Sequence, residues 1–189
     1  FTFKNEFTNS TPAPTGKAGE IFEIAIRGEK NLKRIYLVGV GERSDSDLRK
    51  IGATLGRKVK GGRNTLLSLI PKSSSEALIH FTSMLLATYT WNLKTGTKPD
   101  VPAFQMSADF KEVLSEIEIL TESTWLARDL IHTPSNIKSP EWMATQAKKL
   151  AKGSGLTVKV KSGKAISEFG GLRAVGNSSK KNPPHFVEI

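Results

Sequence analysis

The sequence has no cysteine, and it has only 2 tyrosines and 3 histidines among 189 residues. Without thiols, the chain can form neither disulfides nor thiolate metal sites, which fits a reducing cytoplasm. No apolar run approaches the roughly 18 residues that a membrane-spanning helix needs. Residues 1–7 have no initiator Met, basic region or apolar stretch, so no signal peptide is predicted. We therefore expect a cytoplasmic segment of a longer polypeptide that has no membrane partner.

Motifs of several enzyme classes are also missing. The histidines are more than fifty residues apart, so no His-x-x-x-His zinc helix exists, and there is neither a Gly-x-Ser-x-Gly elbow nor a Walker loop. The glycines of residues 38–41, Val-Gly-Val-Gly, stand where a dinucleotide loop would begin. Position 44 is a serine, however, and Asp45 and Asp47 would repel a pyrophosphate. A tight strand-to-helix turn is the favoured interpretation.

The charge is strongly positive and unevenly distributed. The net charge is +10, and from Lys138 onward ten Lys/Arg stand against three acids. Such a region is a solvated basic face, a surface that meets an acidic partner domain, or a nucleic-acid contact. The candidate contact residues are Lys148, Lys149, Lys152, Lys159 and Lys161. No aromatic residues interleave with these lysines, so no base-stacking platform is predicted.

The hydrophobic pattern predicts strands alternating with helices. A packed core is expected because 38% of the residues are hydrophobic. Alternation or apolar runs predict strands, and spacing at i, i+3 and i+4 predicts helices. Strands are expected at 21–26, 34–41, 65–70, 104–106, 156–161, 172–175 and 186–189. Helices are expected from Asp45 or Asp47 to 59, from serines 73–75 to 91, at 108–132, at 139–152 and before Gly170. This order indicates an α/β fold with a mostly parallel sheet.

Two segments near the C-terminus carry a family resemblance. Residues 127–136 read Ala-Arg-Asp-Leu-Ile-His-Thr-Pro-Ser-Asn. Residues 170–179 read Gly-Gly-Leu-Arg-Ala-Val-Gly-Asn-Ser-Ser, followed by Pro-Pro at 183–184 and Phe-Val at 186–187. In this order they resemble the junction of the leucyl aminopeptidase family (M17 type), where a linker helix leads into the catalytic domain. Residues 36–41 more loosely resemble the family's N-terminal domain.

The sequence also departs from that family pattern. The residues that differ are His132, Ser135, Arg173 and Ser178, which stand where the family has Asn, Pro, Leu and Gly. None of these positions is a metal ligand in the family. The departures indicate a divergent member.

The resemblance implies a fold and an activity for the parent protein. It implies a macro-like three-layer α/β domain with a mostly parallel sheet at 1–107, a linker helix and Pro turn at 108–138, and the incomplete start of the α/β catalytic peptidase domain at 139–189. Family members are homohexamers that remove N-terminal residues from peptides with two divalent metal ions, Zn or Mn. Their motifs Gly-Lys-Gly-x-Thr-Phe-Asp-Thr-Gly-Gly and Asn-Thr-Asp-Ala-Glu-Gly-Arg do not occur here. Catalytic and metal-binding residues are therefore expected downstream of Ile189, and no substrate-binding residue is assigned.

We accordingly expect an N-terminal segment of a leucyl aminopeptidase that serves assembly and active-site access. The segment alone is predicted to bind no metal, to lack peptidase activity and to self-associate. Two alternatives stay open: a DNA-binding module that uses the five lysines, and a macro-like small-ligand module, for which the sequence shows no pocket.

Overall fold

The computed structural model describes residues 14–27, 32–93, 100 and 102–189. The N-terminal stretch 1–7 lies outside the described residues. A turn is also predicted between the strands at 28–33 and a loop at 92–102, and residues 28–31, 94–99 and 101 of these lie outside the described residues as well. The chain divides into two compact units, Phe1–Arg128 and Asp129–Ile189. Each unit is described separately below.

Unit 1 begins with an antiparallel hairpin. Strand β1 (Ile21–Arg27) pairs with β2 (Leu32–Val38), with Ile21 opposite Val38. The backbone pairing continues past the strands, because Gly39 N donates to Glu20 O at 2.8 Å and Gly19 N donates to Gly39 O at 3.0 Å. Both strands fall where the sequence predicts them, except that β2 ends at Val38 rather than at position 41.

Helix α1 (Asp45–Val59) follows β2 and presents one apolar face to the core. Its buried residues include Leu48, Ile51 and Leu55. The prediction that Asp45 or Asp47 is the N-cap is wrong, since Ser44 caps the helix and Asp47 occupies the third helical position. The two side chains form a capping box, in which each accepts a hydrogen bond from the other's backbone amide.

The second half of unit 1 is a strand–helix–strand unit. Strand β3 (Thr65–Leu67) runs parallel to β4 (Ala103–Gln105), and helix α2 (Ser74–Ala87) lies between them in sequence. Ser73 caps α2 and accepts a hydrogen bond from Glu76 N at 3.3 Å. The helix ends at Ala87, earlier than the predicted Trp91.

The core of unit 1 lies between the strands and helices α1 and α2. Its buried side chains belong to both helices, to Ala18 before β1 and to the first part of helix α3 (Leu114–His132), which follows a 3-10 turn at Ala108–Val113. The fully buried members include Ile51, Met84 and Ile117. Strand residues from β2, β3 and β4 pack against this cluster: Tyr36, Val38, Leu66 and Phe104.

Unit 2 contains two helices and one antiparallel strand pair. Helix α4 (Pro140–Ala151) is followed by β5 (Lys159–Ser162), a 3-10 turn (Gly163–Ile166), helix α5 (Gly170–Gly176) and β6 (His185–Glu188), and β5 pairs with β6. The expectation of an extended segment at 172–175 is wrong. Those residues are helical, and the glycines at 170–171 begin this helix rather than end one.

The chain is therefore a mixed α/β protein. Among the described residues, five α-helices accompany three two-stranded sheets, of which only β3–β4 is parallel. None of the helices in the described part of the chain has the length and apolarity that crossing a membrane requires.

Candidate functional site

The turn between β2 and α1 uses its amide groups internally. Gly41 has a positive φ of 55°, and its N–H donates to Gly16 O at 3.0 Å. The Asp47 carboxylate accepts from Glu42 N at 3.1 Å and from Ser44 N at 3.3 Å. A phosphate-binding loop needs such amides to be free to face an anion. The structure thus favours the tight-turn interpretation over a dinucleotide site.

Arg43 joins this turn to the start of α2. It has a positive φ of 58°, and its guanidinium donates to Ile70 O at 2.8 Å. The same group forms an ion pair with Glu76, which also accepts from Lys72 N at 2.8 Å. The hydrogen bond from Arg43 is the main reason that the pKa of Glu76 lies below its usual value. This arrangement fixes one end of unit 1 and uses its charges internally.

A serine and a histidine meet inside unit 1. Ser68 Oγ lies 2.9 Å from His80 Nε2, and the two residues are 6% and 0% exposed. Burial lowers the pKa of His80 to about 4, and the positive charge of Arg43 acts in the same direction while Glu76 opposes it. A catalytic serine must be reached by substrate. Because both members are buried, this pair is a packed core interaction.

The segment that carries the family resemblance forms a hydrogen-bonded hinge in unit 2. Thr133 N and Thr133 Oγ1 both donate to Asp129 O, at 3.0 and 2.7 Å. The ammonium group of Lys138 then folds back and donates to Leu130 O at 2.9 Å and to Ile131 O at 3.3 Å. A cation at a helix C-terminus complements the helix dipole and satisfies its last carbonyls.

Beyond the turn, α4 begins in the way that the sequence predicts. Ser139 caps the helix and accepts from Trp142 N at 3.2 Å, and Pro140 is its first residue. The structure therefore confirms the helix start, and it adds Lys138 as the residue that closes α3. No sequence signal singles out this lysine from the others nearby.

Replacing Lys138 by alanine is expected to loosen this hinge. The last carbonyls of α3 would lose a charged donor, which we expect to cost about 1 kcal/mol in the free energy of unfolding. Urea unfolding monitored by circular dichroism measures the loss. Lys148→Ala is the matched control, because Lys148 is exposed on α4, and it should change stability by less than half as much. Equal effects of the two substitutions would contradict this role for Lys138.

A cavity of about 360 Å³ lies beside the hinge in unit 2. Ser135 and Ser139 line it on one side, and Val175 and His185 line it on the other. Gly176 is required there, because a Cβ at this position would lie 2.3 Å from Pro184 Cγ. The cavity arises from the packing around the hinge. Of the three histidines, only His185 is among the residues that line it.

The five candidate nucleic-acid lysines belong to unit 2, but they do not have equal surroundings. Lys148, Lys149 and Lys152 lie at the end of α4, and they are exposed, as is Lys159 on β5. Lys161 is half-buried and is paired with Glu168 at 3.4 Å. Its ammonium group also lies 5.5 Å from the ring centre of Phe169, which stacks on Phe186. Lys161 is thus engaged within the fold.

The described residues do not fit a two-metal centre. Across residues 14–27, 32–93, 100 and 102–189, no three His, Cys, Asp or Glu residues lie together in a way that could hold a metal ion. Such centres are built from clustered carboxylates and nitrogen ligands.

Models of two domains of one protein family match the chain in order. The N-terminal domain model of the cytosol aminopeptidase family (Peptidase M17) matches residues 10–92, and the catalytic domain model of the same family matches residues 125–189. The second match begins just before the hinge at Asp129 and includes all of unit 2.

Relatives and solved structures agree with these matches. A probable cytosol aminopeptidase of Corynebacterium glutamicum is 30% identical over 161 residues, which are 79% of this chain and 32% of that protein. One of Aquifex aeolicus is 28% identical over 188 residues, 92% of this chain and 38% of that protein. The bottromycin maturation enzyme BotP is similar in structure, with a TM-score of 0.76 and 25% identity over 91% of this chain and 40% of that one. A tomato leucine aminopeptidase mutant, with 22% identity and a TM-score of 0.73, shares the fold.

The fold and the family matches together identify the chain as a mixed α/β segment. It joins an N-terminal domain to the start of a peptidase catalytic domain. The chain belongs to the M17 cytosol aminopeptidase family, whose members are hydrolases. It spans about a third of the length of the curated relatives it matches, 32% and 38% for the two described here.

Proposed function

We propose that the chain is the N-terminal segment of a leucyl aminopeptidase and serves its assembly and active-site access. The observation that carries the proposal is the order of the two family matches, at residues 10–92 and 125–189. Within this proposal, residues 1–107 form a macro-like three-layer domain, residues 108–138 link it to the next domain, and residues 139–189 begin the catalytic domain. The expected mostly parallel sheet is not what the described strands of this region form, because β1–β2 is antiparallel and only β3–β4 is parallel.

The parent protein is proposed to be a cytoplasmic two-metal exopeptidase. It would remove N-terminal residues from peptides with Zn or Mn held by residues outside these 189. A structure of BotP in complex with Mn supports a divalent metal in the family. The absence of both family metal motifs from the sequence supports placing the chemistry outside this chain.

The assembly role is supported by apolar side chains left exposed in both units. Leu69 is 77% exposed in unit 1, and Ile131 and Val175 are 74% and 77% exposed in unit 2. Burying large apolar side chains such as these against another protein surface removes them from water and lowers the free energy. In the parent protein we propose that such surface is covered within a homohexamer.

The isolated chain is therefore expected to self-associate. Light scattering across a wide concentration range should show the mean mass rising with concentration, because association buries apolar surface. Leu69→Ser should weaken this rise, whereas Lys72→Ser, at a nearby exposed position, should not. A constant monomer mass at every concentration would contradict the proposed assembly role.

A DNA-binding module is the second candidate. It is favoured by the exposed lysines of α4 and β5, for which the described part of the chain shows no ion pair. A gel-shift assay with duplex DNA at about 50 mM salt separates the candidates, since phosphate contacts weaken steeply as salt rises. A salt-sensitive shift that disappears in a combined Lys148, Lys149 and Lys152 to alanine variant would favour DNA binding. If the DNA shows no shift, DNA binding is ruled out and the role as an aminopeptidase segment is the candidate that remains.

A further inference from the structure

We draw no further inference here: the strongest candidate, the cavity of about 360 Å³ beside the hinge in unit 2 that Ser139, Ser179 and His185 line, carries nothing, because its polar wall is the N-terminus of α4 with serine hydroxyls around it and nothing in the structure shows what occupies it.

Discussion

Gly52→Ala is expected to destabilise unit 1 by about 3 kcal/mol or more, at the upper end of what overpacked sites cost. A Cβ at this position would lie 2.3 Å from His80 O, a backbone atom of the facing helix α2. Gly56 meets Met84 O in the same way, at 2.2 Å. Neither carbonyl can move aside without moving α2. The substitution must therefore separate the two helices that hold the core.

Helix propensity makes the opposite prediction, which gives this test its force. Alanine in a helix interior is favoured over glycine by about 1 kcal/mol. Urea unfolding compares Gly52→Ala with Gly171→Ala, because a Cβ at Gly171 on α5 meets nothing within 4 Å. Gly171→Ala should be neutral or slightly stabilising. A stable Gly52→Ala variant would show that α1 and α2 do not approach as closely as described.

The second large effect is a loss of stability in acid that depends on His80. The folded-state pKa of His80 is about 4, and the ordinary value is 6.5. Above pH 6.5 the imidazole is neutral in both states and stability is unaffected. As the pH falls from 6.5 to 4, the unfolded state takes up the proton first, so the free energy of unfolding declines. The total loss is about 3 kcal/mol.

Unfolding measurements at pH 7 and pH 4.5 on two variants isolate this term. His80→Gln keeps a polar partner for Ser68 but removes the titrating group, so its stability should fall less between the two pH values than that of the unmodified chain. His185→Gln, a substitution in unit 2, should leave the pH dependence of unit 1 unchanged. Glu76, whose pKa is lowered by Arg43, contributes equally in all three proteins. Parallel pH profiles for His80→Gln and the unmodified chain would contradict a buried neutral His80.

Local signals in the sequence predict most of the helices and strands, but they do not predict which strands pair with each other. The apolar spacing of Leu48, Ile51 and Leu55 identifies α1 and its buried face, and Ser139 with Pro140 identifies the start of α4. These signals depend on residues close in sequence. The β3–β4 pairing joins positions separated by a helix and a loop, and nothing local in either strand specifies that partner.

The errors have physical causes of the same kind. Residues 172–175 read Leu-Arg-Ala-Val, in which Val175 favours a strand but Leu, Arg and Ala are good helix formers, and the segment is helical. Ser44 was missed as the cap of α1 because Asp45 and Asp47 are equally good capping residues at neighbouring positions. The Ser68–His80 contact and the hydrogen bond from Lys138 to Leu130 O form only when the chain folds in three dimensions. No spacing rule in the sequence identifies them.

For the site, the sequence-based prediction relies on two family segments and on the metal-binding motifs that the chain does not contain. The family segments at 127–136 and 170–179 predict the position of the hinge, and the family matches confirm the family. The metal motifs are absent from the sequence, so we propose that the parent enzyme's chemistry depends on residues outside this chain.

Hydrolysis of a leucyl chromogenic substrate by the isolated 189 residues, supplemented with Mn²⁺ or Zn²⁺, tests this account most directly. An authentic leucine aminopeptidase, assayed in parallel, checks that the conditions support turnover. We predict that the isolated chain gives no rate above the buffer blank at any metal concentration. Metal-dependent turnover that co-purifies with the chain would contradict it.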